Sequence, residues 1–396
     1  MIDMNRENIS VILHRGAHQI GGVCTEIRTE NTRILFDLGM PLEGEGQKNP
    51  LRIAGVTEGD ADCDGVFLTH YHGDHVGEIP HLLQGIPVYM GSAAREILEA
   101  EQNHKKCLGE KVWAADVKTM EPENPVQVGD LKVRAIRSDH SAFDTLMYLV
   151  EGFGKKVLLT GDFRFHGFHG EELKDELRKI GSVNLMIVEG TNLTRESFKT
   201  CGEAWVEEKF REIVKKYRYV FLFASSSNLD RIASFTRVIP RGKYILTDRY
   251  QKSLLEIAKK YTKFPDYISP KVLVYGRNLD GNIEKRGFGM VVRAHPKFLP
   301  MIEAYFQNHP EETCMIYSAW SGYRENLNIK KMLGLCSKVL SVHVSGHVTK
   351  QDLLEAVDLV SPMQVILHHT SASDEEEDTL PIKNLVHLND EEILKL

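Results

Sequence analysis

The sequence predicts an α/β protein in which one host domain is interrupted by an inserted α/β unit. Three observations predict it. The first 190 or so residues run as short apolar segments ended by polar turns. From about residue 194 strand-like runs alternate with amphipathic helical spacing, as in a parallel α/β unit. Strand signals then return towards the end of the chain, and at 396 residues the length exceeds what one core usually supports.

The elements follow in order. In the first part, Val11–Leu13, Arg33–Asp37, Gly65–Thr69, Leu131–Ile136, Lys156–Thr160 and Asn184–Val188 are strands by length and β-branched content. In the second, Phe198–Tyr217 has helical spacing, with Trp205, Val206, Phe210, Ile213 and Val214 between charged positions. Tyr219–Phe223 is a strand, Leu229–Val238 a helix, Lys243–Leu246 a strand and Gln251–Tyr261 a helix. Met315–Ser318, Val339–Val342 and Gln364–Leu367 are strands again, with a helix at Gln351–Val360. The boundaries expected are 1–193 and 321–396 for the host domain and 194–320 for the insert. The acidic run Asp374–Asp378 is expected as a solvated loop.

Composition excludes several classes. Apolar content of 42% and charged content of 27% fit a globular chain, and no apolar run reaches the roughly 18 residues of a membrane span. Met1–Glu7 is charged and leads straight towards a strand without the apolar region of a signal peptide, so a cytoplasmic location is expected. The six cysteines lie far apart with no Cys-x-x-Cys pair, which argues against a disulfide framework and against a thiolate zinc site. A net charge of −7 supplies no general field for nucleic acid; such a substrate needs a local basic patch.

The chemistry is concentrated in Thr69-His70-Tyr71-His72-Gly73-Asp74-His75. His70 and His72 alternate just past a strand, and Asp74 and His75 follow a flexible glycine, so four ligand-type side chains can converge at one strand end. Imidazole with carboxylate suits zinc and other first-row divalent ions. Further ligand candidates stand just beyond predicted strands: His140, Asp162 and His369. His368 is adjacent to His369, but in the strand pattern His369 continues the face of Val365 and Leu367, which favours it. Lone histidines between apolar neighbours, such as His343, read as satisfied structural residues, and His166 and His169 as loop residues.

This pattern resembles the metallo-β-lactamase superfamily, whose motifs are His-x-His-x-Asp-His, a later His, an Asp after a strand and a final His. The fold implied is an αββα sandwich. By that resemblance one metal takes His70, His72 and His140, the second takes Asp74, His75 and His369, and Asp162 bridges them. Asp37 resembles the first motif, which supports the ligand loop from behind. The long span between Asp162 and His369, containing the insert, Glu189-Gly190-Thr191 and Ser345-Gly346-His347, resembles the β-CASP nucleases, the group of ribonuclease J and the cleavage and polyadenylation factor endonuclease. Glu189, His347 and His369 match its motifs A, B and C. The usual Gly-Glu after motif C is replaced by Thr370-Ser371, and a His at motif C resembles the RNA-processing branch, whereas the DNA-repair branch tends to carry Val.

The function expected is hydrolysis of RNA phosphodiester bonds, with single-stranded RNA as partner, by hydroxide activated between two divalent metal ions, Zn2+ first and Mn2+ as the alternative. Asp74, His347 and Glu189 are the catalytic candidates: His347, oriented by Glu189, protonates or stabilises the leaving oxygen. Competing classes are a DNA phosphodiesterase, a small-ester or thioester hydrolase with the same metal centre, and a non-catalytic subunit. The insert and the Glu189–His347 pair oppose the ester hydrolase, His369 opposes DNA, and intact ligands oppose the inert subunit. Ser225, Ser226, Ser318 and Ser345 are candidate phosphate contacts.

Overall fold

The computed structural model describes residues 8–42, 49–107, 109, 117–195 and 201–396. The charged stretch 1–7 and the first residues of the helix expected at 198–217 lie outside the described residues. By its contacts the chain divides into two units, Met1–Thr200 with Gly346–Leu396, and Cys201–Ser345.

The first unit opens with β1 (Ser10–Arg15), β2 (Cys24–Arg28), β3 (Arg33–Phe36), β4 (Gly65–Phe67), β5 (Val88–Met90) and β6 (Val117–Thr119). It continues with β7 (Val126–Val128), β8 (Leu131–Arg137), β9 (Leu146–Gly152), β10 (Lys155–Leu159) and β11 (Leu185–Glu189). The second unit holds β12 (Tyr219–Phe223), β13 (Tyr244–Thr247), β14 (Val272–Val274), β15 (Phe288–Val292), β16 (Thr313–Tyr317) and β17 (Val339–Ser341), and the chain returns to the first with β18 (Gln364–His368) and β19 (Ile393–Lys395).

Two sheets build the first unit, in the orders β19-β1-β2-β3-β4-β5-β6 and β18-β11-β10-β9-β8-β7. Alternation along the second sheet decides its two faces. Leu131, Val133, Leu146, Tyr148, Val157, Leu159, Ile187 and Ile366 pack against Val11, Ile27, Ile34, Phe36 and Phe67 of the first sheet. Their neighbours Met147, Leu149, Leu158, Met186, Val188, Val365 and Leu367 turn to the other side, where Leu173 and Leu177 of the helix Gly170–Ile180 and Leu353, Ala356 and Val360 of the helix Lys350–Val360 cover them. A sheet buried on both faces needs near-continuous apolar strands, which explains the runs read from the sequence. Each sheet has a parallel portion, β3-β4-β5-β6 and β18-β11-β10. All the ligand candidates except His140, which follows β8, follow the carboxyl ends of these strands, where open α/β sheets place their sites.

The second unit is a six-stranded sheet in the order β14-β13-β15-β12-β16-β17, parallel throughout. Its limit differs from the expected one. The reading from sequence returned residues after 320 to the host, but β17 pairs in parallel with β16, and Ile329 and Met332 of the helix Leu327–Leu333 enter the insert's core beside Phe221 and Met315. A lone strand signal at 339–342 carries no mark of which sheet it joins. The acidic run 374–378 also departs from a solvated loop. Asp374–Glu377 is a short helix with a Ser373–Glu376 capping box, and buried Glu377 lies 3.0 Å from His387 Nδ1.

No helix among the described residues is long and apolar enough to cross a membrane, and the described cysteines are all free thiols.

Candidate metal centre

The loop after β4 and the short helix Gly73–Val76 carry His70, His72, Asp74 and His75. Their backbone is fixed by two neighbouring segments. Val23 N–H donates to the Asp74 carbonyl at 3.0 Å and Leu38 N–H to that of His75 at 2.8 Å. Gly39 passes so close that a Cβ there would fall 1.7 Å from the Asp74 carbonyl oxygen, so no other residue fits. His140 follows β8, Asp162 follows β10 through Gly161 in the left-handed region (φ +51°), and His369 follows β18 in the same region (φ +55°).

These loops bring all seven candidate ligands together. His70, His72 and His140 form one group and Asp74, His75 and His369 a second, each with donor atoms within 4.8 Å of one another. Asp162 stands between them. Its Oδ2 lies 3.2 Å from His75 Nε2, 3.7 Å from His140 Nε2 and 3.8 Å from His70 Nε2, and its Oδ1 lies 3.9 Å from His369 Nε2. Asp74 Oδ2 is 3.3 Å from His369 Nε2. His72 presents Nδ1, at 3.3 Å from His140 Nε2.

Whether these residues fit metal ions is tested by the hydrogen bonds they leave unmade. Both Asp162 oxygens, His70 Nε2 and His75 Nε2 are buried and make no well-directed hydrogen bond. Four such atoms in one place would cost several kcal/mol as a purely structural arrangement. The donor set, imidazoles around a shared carboxylate, suits divalent first-row ions.

In four of the five imidazoles Nδ1 is committed elsewhere. His75 Nδ1 is 2.7 Å from Asp37 Oδ2, His70 Nδ1 is 3.0 Å from Thr69 Oγ1, His140 Nδ1 is 2.6 Å from the Gly346 carbonyl and His369 Nδ1 is 2.7 Å from Thr191 Oγ1. Nε2 is thereby left facing inward, as partners behind a ligand are expected to arrange. Asp37 also accepts from Thr69 N–H at 2.7 Å, and it too is left-handed (φ +59°).

Charge follows the packing. Burial, reinforced by neighbouring imidazoles, holds His70 well below its ordinary pKa; burial likewise depresses His140 and takes His72 down to about 4. Burial opposes ionisation of Asp162, but His75, His369 and His347 outweigh it and hold the carboxyl well below the usual range. His75 is raised, since Asp162 and Asp37 outweigh its burial.

Glu189, the last residue of β11, and His347 adjoin the ligands. His347 Nδ1 is 3.1 Å from Glu189 Oε2 and 3.5 Å from Asp162 Oδ2, and these carboxylates outweigh burial to raise the imidazole to about 9. Glu189 Oε1 accepts from Phe163 N–H at 2.8 Å and Val348 N–H at 3.4 Å, which locks the carboxylate.

His368 faces elsewhere. Its Nε2 lies 3.0 Å from the Arg15 carbonyl and its ring rests on Gly16, where a Cβ would meet it at 2.5 Å; burial lowers it to about 4.

Sequence reasoning missed Asp139, Arg164, Thr191 and Asn192. Fully buried Arg164 donates through Nε to Asp139 Oδ1 at 2.9 Å and through Nη2 to the His140 carbonyl at 3.3 Å, bracing the loop of that ligand. Asn192 donates to the carbonyls of His347 and Val348 at 3.2 and 3.0 Å. Only adjacency to ligands, as in Asp139-His140, could have pointed to any of them. His166 and His169 stay peripheral, lying 3.5 Å from Asp352 and 3.0 Å from Glu172.

Known proteins resemble this chain in sequence and in fold. Residues 32–215 match the model of the beta-lactamase superfamily domain. Ribonuclease J of Helicobacter pylori (strain ATCC 700392 / 26695) is 23% identical over 77% of this chain and 42% of its own length, so the chain spans less than half of that relative. Ribonuclease J of Mycoplasma genitalium is 23% identical over 89% of this chain and 66% of its own. The RNase J-like protein of Methanocaldococcus jannaschii is 25% identical over 75% and 72%. A crystal structure of a protein of unknown function from Enterococcus faecalis V583 superposes with a TM-score of 0.77 at 17% identity, covering 98% of this chain and 100% of that one, a likeness of fold.

Proposed function

We propose that this chain, which matches the beta-lactamase superfamily domain over residues 32–215 and is similar to ribonuclease J, is a metal-dependent ribonuclease acting on single-stranded RNA in the cytoplasm. His70, His72 and His140 would hold one divalent ion and Asp74, His75 and His369 the other, with Asp162 available to both. Divalent cations bound there would supply an activated water near neutral pH and neutralise the phosphodiester oxygens. Zinc fits the imidazole-rich donors first, with manganese as the alternative.

The observation that carries this reading is the Glu189–His347 pair, with His347 Nδ1 3.5 Å from Asp162, beside four buried atoms that make no well-directed hydrogen bond. A phosphodiester must lose an alkoxide, which requires a proton that such a pair can supply, whereas a thioester loses a thiolate that leaves without one. His347, with Nδ1 tied to Glu189, offers Nε2–H to that oxygen. Asn192 fixes the His347 backbone, and Gly346, through its carbonyl, orients His140.

The test is cleavage of end-labelled single-stranded RNA and matched DNA, each with 5′-phosphate or 5′-hydroxyl, by zinc- or manganese-loaded protein. RNA is cut, and Asp74→Ala removes cutting while the fold persists. Full activity in that variant would sink the assignment, and hydrolysis of small esters with neither polymer cut would favour the rival class.

A further inference from the structure

The inserted sheet has a feature that the metal centre does not use. The helix that follows β12, Leu229–Val238, sets Phe235 against Phe210 of the helix Glu203–Lys216, with ring centroids 5.7 Å apart. The helix that follows β16, Leu327–Leu333, packs Ile329 and Met332 with Tyr219, Phe221 and Phe223 on the opposite face. The neighbouring strands β12 and β16 therefore send their connections to opposite sides. Parallel sheets bind ligands at such a switch point, beyond the carboxyl ends of the strands.

The loop leaving β16 there carries two exposed aromatic rings, Trp320 at 41% and Tyr323 at 49%. The loop is held rather than loose. Tyr317 O–H donates to the Trp320 carbonyl at 2.7 Å, and the two exposed rings meet edge to face with centroids 5.4 Å apart. Gly322 lies under the indole, where a Cβ would come within 2.2 Å of the ring. Arg324 sits over the Tyr317 ring at 4.5 Å and is tied to Ser341 Oγ at 2.6 Å. At the end of β15 on the same edge, Arg293 and Lys297 bring two cations beside the Asp248 carboxylate, in a chain whose net charge is −7.

We propose that Trp320 and Tyr323 form a stacking platform for the bases of single-stranded RNA on this rim of the insert, with Arg324, Arg293 and Lys297 drawing in its phosphates. Aromatic faces with interleaved cations are the means by which single strands are bound without reading sequence. The identity of the ligand as RNA rests on the function proposed above. The platform deepens that reading by naming what holds the strand.

The test uses the full chain stripped of metal, so that RNA is bound and not cut, and follows the anisotropy of a labelled twelve-nucleotide RNA. The double variant Trp320→Ala with Tyr323→Ala weakens binding about tenfold to a hundredfold, as loss of base–aromatic stacking does. Trp320→Phe stays within about threefold of wild type, because a phenyl face still stacks. RNA of the same length with abasic positions binds wild type as weakly as intact RNA binds the double variant. Equal affinity of wild type and double variant overturns the proposal, and so does equal affinity of wild type for intact and abasic RNA, a comparison that needs no variant to fold. Metal-loaded protein separates the two readings. A wild type that binds bases but never cuts RNA removes the nuclease and leaves the platform; a double variant that cuts RNA with unchanged KM removes the platform and leaves the nuclease.

Discussion

The adjacent pair His368-His369 offers a sharp prediction. His369 Nε2 faces Asp74 Oδ2 at 3.3 Å and Asp162 Oδ1 at 3.9 Å, whereas His368 Nε2 is spent on the Arg15 carbonyl at 3.0 Å. On the proposed ligand set, with Asp162 shared, the second ion would have four protein ligands, Asp74, His75, Asp162 and His369. Binding of a structural zinc is worth about 10–16 kcal/mol, so one ligand of four carries about 3–4 kcal/mol. At about 1.4 kcal/mol per tenfold, His369→Ala weakens that ion by roughly 10²–10³ and leaves the ion of His70, His72 and His140 in place. His368→Gln keeps an N–H for the Arg15 carbonyl and loses only ring contact with Gly16, costing about 1–2 kcal/mol and a few degrees of Tm. The assay is zinc content after dialysis against micromolar zinc, with titration calorimetry for the separate events. One equivalent in His369→Ala against two in His368→Gln is expected. The reverse pattern, or two tight equivalents in both variants, refutes the reasoning.

Three further outcomes follow from the groups behind the ligands. Asp37→Asn leaves the left-handed backbone acceptable, since asparagine adopts that region, but puts an amide donor against His75 Nδ1; zinc affinity and turnover should fall about 10–100-fold with Tm little changed, and an unchanged zinc isotherm would refute it. Glu189→Gln keeps an oxygen for Phe163 N–H and removes the charge that orients His347, so kcat should drop about a hundredfold while KM and metal content hold; loss of metal instead would make Glu189 a ligand. His14 lies between Glu26 at 2.9 Å and Glu391 at 3.1 Å, and although burial lowers its pKa, both carboxylates outweigh that and raise it. A raised imidazole stabilises the fold fully below its unfolded pKa of about 6.5 and loses that contribution as pH climbs through the folded value. The Tm deficit of His14→Gln should thus be largest near pH 6 and shrink towards pH 9, and a deficit independent of pH would show that the pair contributes packing alone.

How far the site was legible depends on how its residues are spaced. His70, His72, Asp74 and His75 are contiguous, so their joint purpose needs no tertiary information. His140, Asp162 and His369 were found because each follows a strand whose apolar run marks its own end. Thr191 and Arg164 act through hydrogen bonds to His369 and to the His140 carbonyl, and nothing in a local pattern reports a bond across 178 or 24 positions. The insert's far limit failed for a related reason: strand β17 is recognised by its pairing with Met315 to Tyr317, which is a property of the sheet and not of Val339–Ser341.

His369 was selected on a periodicity that does not place it. Along β18 the residues Val365 and Leu367 face the helices and Ile366 faces the other sheet, so a continued strand would carry His369 towards the helices and His368 between the sheets. His368 obeys, reaching Arg15 of β1. His369 reaches the site only because its φ of +55° ends the pleat, and Asp37 after β3 and Gly161 after β10 turn their chains by the same device, at φ +59° and +51°. A β-strand side chain can point only to one face or the other, yet the ligands must meet beyond the strand ends, in line with neither sheet's core. A left-handed residue just past the strand end swings its own side chain or the next one out of the pleat, at a cost of about 1–3 kcal/mol where the residue is not glycine. Three such turns, two of them at non-glycine residues, are hard to explain as packing alone. They converge on Asp162, which Gly161 delivers, on His75, which Asp37 holds, and on His369 itself, so the strain is spent where the proposed ions would repay it.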